Sequence, residues 1–506
     1  MGEVSNEVLV SFDHHEQGET LLSSNETGGQ FLDAGALFVL KSEGSWLHCG
    51  YHLTTSIVAP ALLSLPYALS LLGWVGGILC LVIGGLVTFY SYNLISLVLE
   101  QQDKAGRRHL RFPDMARGIL GPGWDLYFVC PIQFIVCYGA VVGNSLLGGE
   151  CLKISYDIVW PDGKLKLYDF TIIFGAAMLV LAQLPSFHSL RHLNLLSLVL
   201  SLGYSACCAA GSIYIGISSN ETKDYSVDGN LQNRILRAFT ALGIIATTYG
   251  NGIIPEIQAT LAPPVKGKMF KGLCVCYAVV GATFITVSVS GYWAFGKKAN
   301  SFILYNFFND GNLLLPKWFV VMTIVFIIVQ LSAVAVVYLQ PTNEALERWF
   351  ADPTRAQFSI RNVMARLVTR SLSVAISTTI AVMLPFFGDL NALLGAIGFL
   401  PLDFVLPVVF FNLTLQPSKR NPVFWLNATI IVIFSLVTIV AVFASVRQIV
   451  LDMKDYQLFS LCWLQNGQPK FDSLVSSVSK IYASYASGKA HSGYTLLSIF
   501  FSNTFC

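Results

Sequence analysis

Two apolar stretches of this chain are long enough to cross a bilayer, yet each is interrupted in its middle. The first holds Thr54-Thr-Ser-Ile-Val-Ala-Pro-Ala-Leu-Leu-Ser-Leu-Pro66 and the second Thr247-Thr-Tyr-Gly-Asn-Gly-Ile-Ile-Pro255-Glu256. Proline removes a backbone donor and clashes with the preceding turn. Glycine leaves helical dihedrals cheaply. A single such break is a kink. Two breaks at matched positions in two halves of a chain point to the binding site of a secondary transporter. Unwound backbone at membrane depth is tolerated only where it lines a cavity or is buried in protein.

The rest of the chain supports a polytopic, all-α membrane protein. Of its 506 residues 54% are hydrophobic and 12% charged, about half the charged share of a soluble domain. That composition excludes a soluble globular enzyme. A net charge of +2 gives no reason to expect a nucleic-acid partner. Eleven candidate spans fall at 47–72, 75–99, 126–150, 168–185, 190–217, 238–260, 270–294, 316–342, 366–386, 390–413 and 422–448, each near the length needed to cross the hydrocarbon. Three parts follow: a polar, acidic cytosolic tail over 1–40, a transmembrane domain over 41–452, and a Ser-rich tail over 453–506.

Basic residues concentrate in alternate loops, among them Lys104, Arg107, Arg111, Arg117, Lys268, Lys271, Arg355, Lys419 and Arg420. The bias places the N-terminus inside and the C-terminus outside. The glycosylation pattern at Asn220 falls in an outer loop of that topology. Matches at Asn412 and Asn427 fall in spans. Spans one to five and six to ten form two halves; because five is odd, the second is inverted, and a break then sits in the first span of each.

Helix ends at such breaks carry partial charges, and the freed backbone groups can hold both ends of a zwitterion. Thr54, Thr55, Ser56, Tyr249 and Asn251 offer hydroxyl or amide contacts, although Ser and Thr in helices commonly bond their own backbone instead. Intramembrane acids default to functional candidates. Glu256, Asp403 and Glu150 are the candidates for proton coupling, and Asp389 reads as a helix cap. His48 and His52, at the start of the first span, read as interfacial anchors, with pH sensing as the alternative. His188 and His192 read as polar flank. No P-loop, nucleophile elbow or metal-binding His set is present, so neither a cofactor, a metal nor enzymatic chemistry is expected.

Several long motifs resemble plant amino acid/auxin permeases, specifically their GABA transporter branch. They are Ser45–Ala68 (SWLHCGYHLTTSIVAPALLSLPYA), Leu184–Arg191 (LPSFHSLR), Ala246–Thr260 (ATTYGNGIIPEIQAT), Gly291–Asn300 (GYWAFGKKAN), Gln330–Pro341 (QLSAVAVVYLQP) and Phe399–Phe411 (FLPLDFVLPVVFF). The likeness runs from about Asp33 to Phe459. It implies the five-plus-five inverted-repeat fold and proton-coupled import of GABA and related small amino acids at the plasma membrane. It maps the substrate site onto Thr55, Ser56, Ile57, Val58, Ala59, Pro60, Ala61 and Leu62, with Tyr249, Gly250, Asn251 and Gly252; Thr54 adjoins the first group. The expected partners are a small zwitterionic amino acid, a proton and the lipid bilayer. Chains of that branch end soon after the motif at Asp455–Phe459, whereas about 47 residues follow here. Transport of proline, glycine betaine or a broad set of neutral amino acids is the alternative within the family. An amino-acid-sensing receptor is the alternative outside it.

Overall fold

The computed structural model describes residues 45–455 apart from 108, 110, 162, 184–189, 220–221, 228, 260, 262–266, 310 and 351–358. The N-terminal tail, Asn220, His188 and the C-terminal tail beyond 455 lie outside the described residues. By contact the chain divides into 1–451 and 452–506, and of the second unit only the last turn of a helix is described.

Helices account for nearly all of the described chain. The first span opens as α1 (Trp46–Ile57), breaks at Val58 and Ala59, and resumes as a 3-10 turn over Pro60–Ser64 that leads into α2 (Leu65–Lys104). Within α2 the helix is kinked at Gly73, whose φ of 74° and ψ of 174° suit only glycine. That kink separates the second half of span one from span two, where the apolar pattern leaves a gap between 72 and 75. Pro66 stands in the first turn of α2, where its missing N–H costs nothing.

Next come α3 (Phe112–Leu120), a short amphipathic helix, then α4 (Cys130–Val159), α5 (Leu167–Leu181) and α6 (Leu190–Ser218). The sixth span is split into α7 (Leu231–Tyr249) and α8 (Ile254–Ala259). Beyond it lie α9 (Lys268–Phe295), a two-residue hairpin pairing β1 (Phe308–Asn309) with β2 (Asn312–Leu313), and α10 (Lys317–Phe350). Then follow α11 (Ile360–Met383), α12 (Phe387–Leu394), a wide π-helical stretch over Gly395–Val405, α13 (Leu406–Leu415) and α14 (Pro422–Asp455).

Seven helices among the described residues are long and apolar enough to cross a membrane by length and composition. Four of the eleven expected spans are missing from that set, each for a visible reason. The first and sixth are broken. The fourth, α5, is only 15 residues long. The ninth, α11, begins with Arg361, Arg366 and Arg370 and is rich in hydroxyl residues.

The helix pairs α4 with α10, α1 with α9, and α2 with α7 and α9 pack most extensively. Span ten is the most buried of the long apolar segments and span eleven the least; along α14, Val432, Leu436, Ile439 and Phe443 face outward. One buried polar chain fastens α14 inward. Tyr90 donates to Asn427 (2.7 Å), and the Asn427 amide donates to Asn412 (2.6 Å). Both asparagines of the intramembrane glycosylation patterns are therefore structural. At the far end, a strap after α6 crosses the end of α9. Lys297 pairs with Asp224 (2.6 Å), and the Trp74, Tyr225 and Tyr292 rings cluster in tilted and edge-to-face contacts. The hydrogen bond and charge of Lys297, with the Ser226 amide, hold the Asp224 carboxyl at about 2.

Candidate functional site

The two breaks meet. The Asn251 side-chain amide donates to the Ser56 hydroxyl at 2.7 Å, and both residues are buried. Residues 195 positions apart in sequence thus join the interrupted spans directly.

At the first break the local chain answers for most of its own backbone. Hydroxyls fold back onto the preceding turn: Thr54 to the Gly50 carbonyl (2.7 Å), Thr55 to Tyr51 (2.9 Å) and Ser56 to Leu53 (2.9 Å). Val58 closes the last helical bond to Thr54, and the Ala59 amide turns tightly onto the Ile57 carbonyl (2.7 Å). Beyond it, Pro60 starts the 3-10 turn, and the Leu62 amide reaches the Ala59 carbonyl (3.1 Å). Pro60 and Leu62 are buried, while Ala61 is half-buried. The Val58 carbonyl alone looks outward, accepting from Tyr204 (3.4 Å) and Gln330 (3.3 Å).

At the second break the Gly250 amide closes the last helical bond to Ala246 (2.8 Å), the Ile253 amide turns onto the Asn251 carbonyl (2.7 Å), and other helices supply the remaining partners. The Tyr249 carbonyl accepts from Tyr92 on α2 (3.1 Å). The Asn251 amide donates to Asp403 in the π-helical stretch (3.0 Å), and the Gly252 carbonyl accepts from Gln133 on α4 (2.9 Å). Gly250 lies against the Phe399 ring and Gly252 against Val136, approaches that a Cβ would block. Tyr249 serves through its carbonyl; its ring packs on Phe284 (5.0 Å) and on Gly85, inside the bundle.

A small cavity lies beside the junction, lined by His52, Thr55, Ser56, Ser197, Ala333, Val334, Val337 and Tyr338. Its walls come from spans one, five and eight. His52 is buried and lines this cavity. Of the three acids, Asp403 is fully buried and bonded to the second break. Glu256 accepts from Gln133 (2.9 Å) and from the Phe112 amide at the start of α3 (3.4 Å). Glu150 is buried in α4, about 25 Å along the helix axis from Gln133 at roughly 1.5 Å per residue, so the structure does not bring it to the breaks. Asp389 stands in the first turn of α12, where a carboxylate suits the helix dipole. Gln133, Tyr92, Tyr204 and Gln330 escape sequence reasoning; only the two glutamines carry a signal, an amide side chain flanked by apolar residues.

A polytopic α-helical membrane transporter is the class these features define. Residues 42–451 match the profile of the transmembrane amino acid transporter proteins, and the chain belongs to that family. It is a transport protein, not an enzyme. GABA transporter 1 of Arabidopsis thaliana is 60% identical over 436 residues, 86% of this chain and 97% of that one. Lysine histidine transporter-like 1 and 3 of the same plant are 29% and 30% identical, across 82% and 83% of this chain and 90% and 94% of theirs.

Proposed function

We propose that the chain is a proton-coupled secondary transporter that imports GABA and related small amino acids across the plasma membrane by alternating access. The observation that carries this reading is the Asn251–Ser56 bond, which makes the two unwound segments one locus beside a cavity. Thr54 to Leu62 and Tyr249 to Gly252 then hold the substrate through freed backbone groups. The cavity is smaller than an amino acid, as expected for a closed conformation; opening it requires spans one and six to move against spans five and eight. Support for GABA over an α-amino acid is the 60% identity to GABA transporter 1, against 29–30% for the lysine histidine transporter-like proteins.

Asp403 and Glu256 are the acids bonded at the second break, and His52 faces the cavity. Asp403 fits the proton carrier best, because its carboxylate holds a backbone group of the unwound segment itself. Gaining or losing a proton there changes that bond, which ties charge to backbone position. The orientation read from loop charges puts the N-terminus in the cytosol and the C-terminus outside.

Two-electrode recording in oocytes at pH 5.5 and 7.5 tests the whole reading. GABA evokes an inward current that grows at acid pH. Proline or betaine currents without a GABA current would move the substrate to a neighbouring branch. Silence for every amino acid despite surface expression would overturn transport in favour of sensing.

A further inference from the structure

Gln133 lies in the first turn of α4, on one face with Val136 and Cys137, and all three are buried. That face meets the second break, where Val136 contacts Gly252 and Gly398. The Gln133 amide nitrogen donates twice, to the Gly252 carbonyl and to Glu256 Oε1, each at 2.9 Å. The same Glu256 oxygen accepts from the backbone N–H of Phe112, the first residue of α3. Glu256 Oε2 is buried without a partner among the described residues. One side chain from span three thus spans the unwound peptide, the carboxylate that follows it, and through that carboxylate the start of the short helix between spans two and three.

We propose that Gln133 is a positioning residue of transport: its amide holds the Gly252 carbonyl and the Glu256 carboxylate in register, so that α8 and α3 move together when the site opens and closes. The proposal rests on the transporter reading above. Its physical basis is that both acceptors are buried. Without the amide, a carbonyl at the substrate locus and a carboxylate one turn away each lose a donor that water does not replace there. A residue that merely glued two helices would change the amount of folded protein. A positioning residue changes the rate per molecule, and does so through Glu256.

A double-mutant cycle with labelled GABA uptake, normalised to protein at the cell surface, separates the two. Gln133→Met keeps the side chain's length and removes the donor. We expect the maximal rate to fall roughly 10–100-fold at unchanged surface amount. In a Glu256→Leu background, which removes the carboxylate acceptor altogether, the same change costs at least about threefold less than in the wild type, the remainder being the stranded Gly252 carbonyl. Equal losses in both backgrounds, or a loss of surface protein with an unchanged rate per molecule, would overturn the proposal. Should Gln133→Met not reach the surface, Gln133→Asn, which keeps a donor but shortens its reach, is read against the same two outcomes. The wild-type chain in the same assay tests the underlying reading separately: uptake of another amino acid in place of GABA moves the cycle to that substrate, and no uptake at all overturns both.

Discussion

The first and sixth spans are broken in the same way, and the sixth borrows more of its repair from other spans. At Val58 the chain is largely its own partner: the Val58 and Ala59 amides turn back onto Thr54 and Ile57, and the Val58 carbonyl accepts from Tyr204 and Gln330. At Asn251 the same local bonds recur, Gly250 to the Ala246 carbonyl and Ile253 to the Asn251 carbonyl, but three further groups are held by Tyr92, Asp403 and Gln133, from three other spans. A break repaired locally can move as a unit with its own helix. A break repaired from elsewhere ties its motion to spans two, three and ten. On this account span six is the coupled element and span one the hinged one.

The seating of the two half-helices breaks that comparison hardest. Gly243 in α7 presses on the Ala392 carbonyl, so Gly243→Ala forces backbone apart and abolishes surface expression. Gly50, its counterpart in α1, meets only an ordinary contact at 3.4 Å with the Gly272 carbonyl, and Gly50→Ala leaves expression near wild type. Surface biotinylation of both variants reads the contrast. Next in size is the loss of a partner. Tyr92→Phe strands the buried Tyr249 carbonyl, at about 1–3 kcal/mol, and uptake falls roughly 10–100-fold. Thr54→Val removes a hydroxyl that back-bonds to its own helix and meets the Cys276 thiol; its effect stays under about fivefold, because the Gly50 carbonyl keeps its helical bond. Similar losses from both would erase the distinction between local and borrowed repair.

The strap at Asp224 gives the smallest effect. Its folded pKa is depressed to about 2 from the usual 3.8. Stability from the Lys297 pair is therefore present above about pH 4 and lost only as pH falls through about 2. Asp224→Asn gives the same small loss of activity at pH 5.5 and 7.5. A loss confined to one of those values would show that the strap, and not the second break, responds to pH.

The first break was almost wholly legible in the sequence because its chemistry is local. Pro60 and the Thr54-Thr-Ser run announce both the interruption and its repair. The glycines around Asn251 announced the second interruption but not its partners. Gln133 and Tyr92 act on residues 119 and 157 positions away, and no pattern within one helix encodes that reach. Gln330, bonded to Val58 across 272 positions, is the same case. His52 was read from its distance to the start of the span, which says nothing of which face it occupies; α1 turns it toward the cavity. Glu150 was read from burial of charge alone, and depth along α4 separates it from the breaks. Hydropathy points to eleven spans, and seven helices among the described residues are long and apolar enough to cross a membrane; the length of α5 and the arginines of α11 keep those two out.

Direct binding of labelled GABA to the purified protein, with Asn251→Ala and Glu150→Gln beside the wild type, tests the joined-break site most simply. The account predicts that Asn251→Ala weakens binding at least tenfold, since it removes the link to Ser56, while Glu150→Gln binds as the wild type does. Wild-type affinity in Asn251→Ala, or loss of binding in Glu150→Gln alone, would place the substrate elsewhere in the molecule.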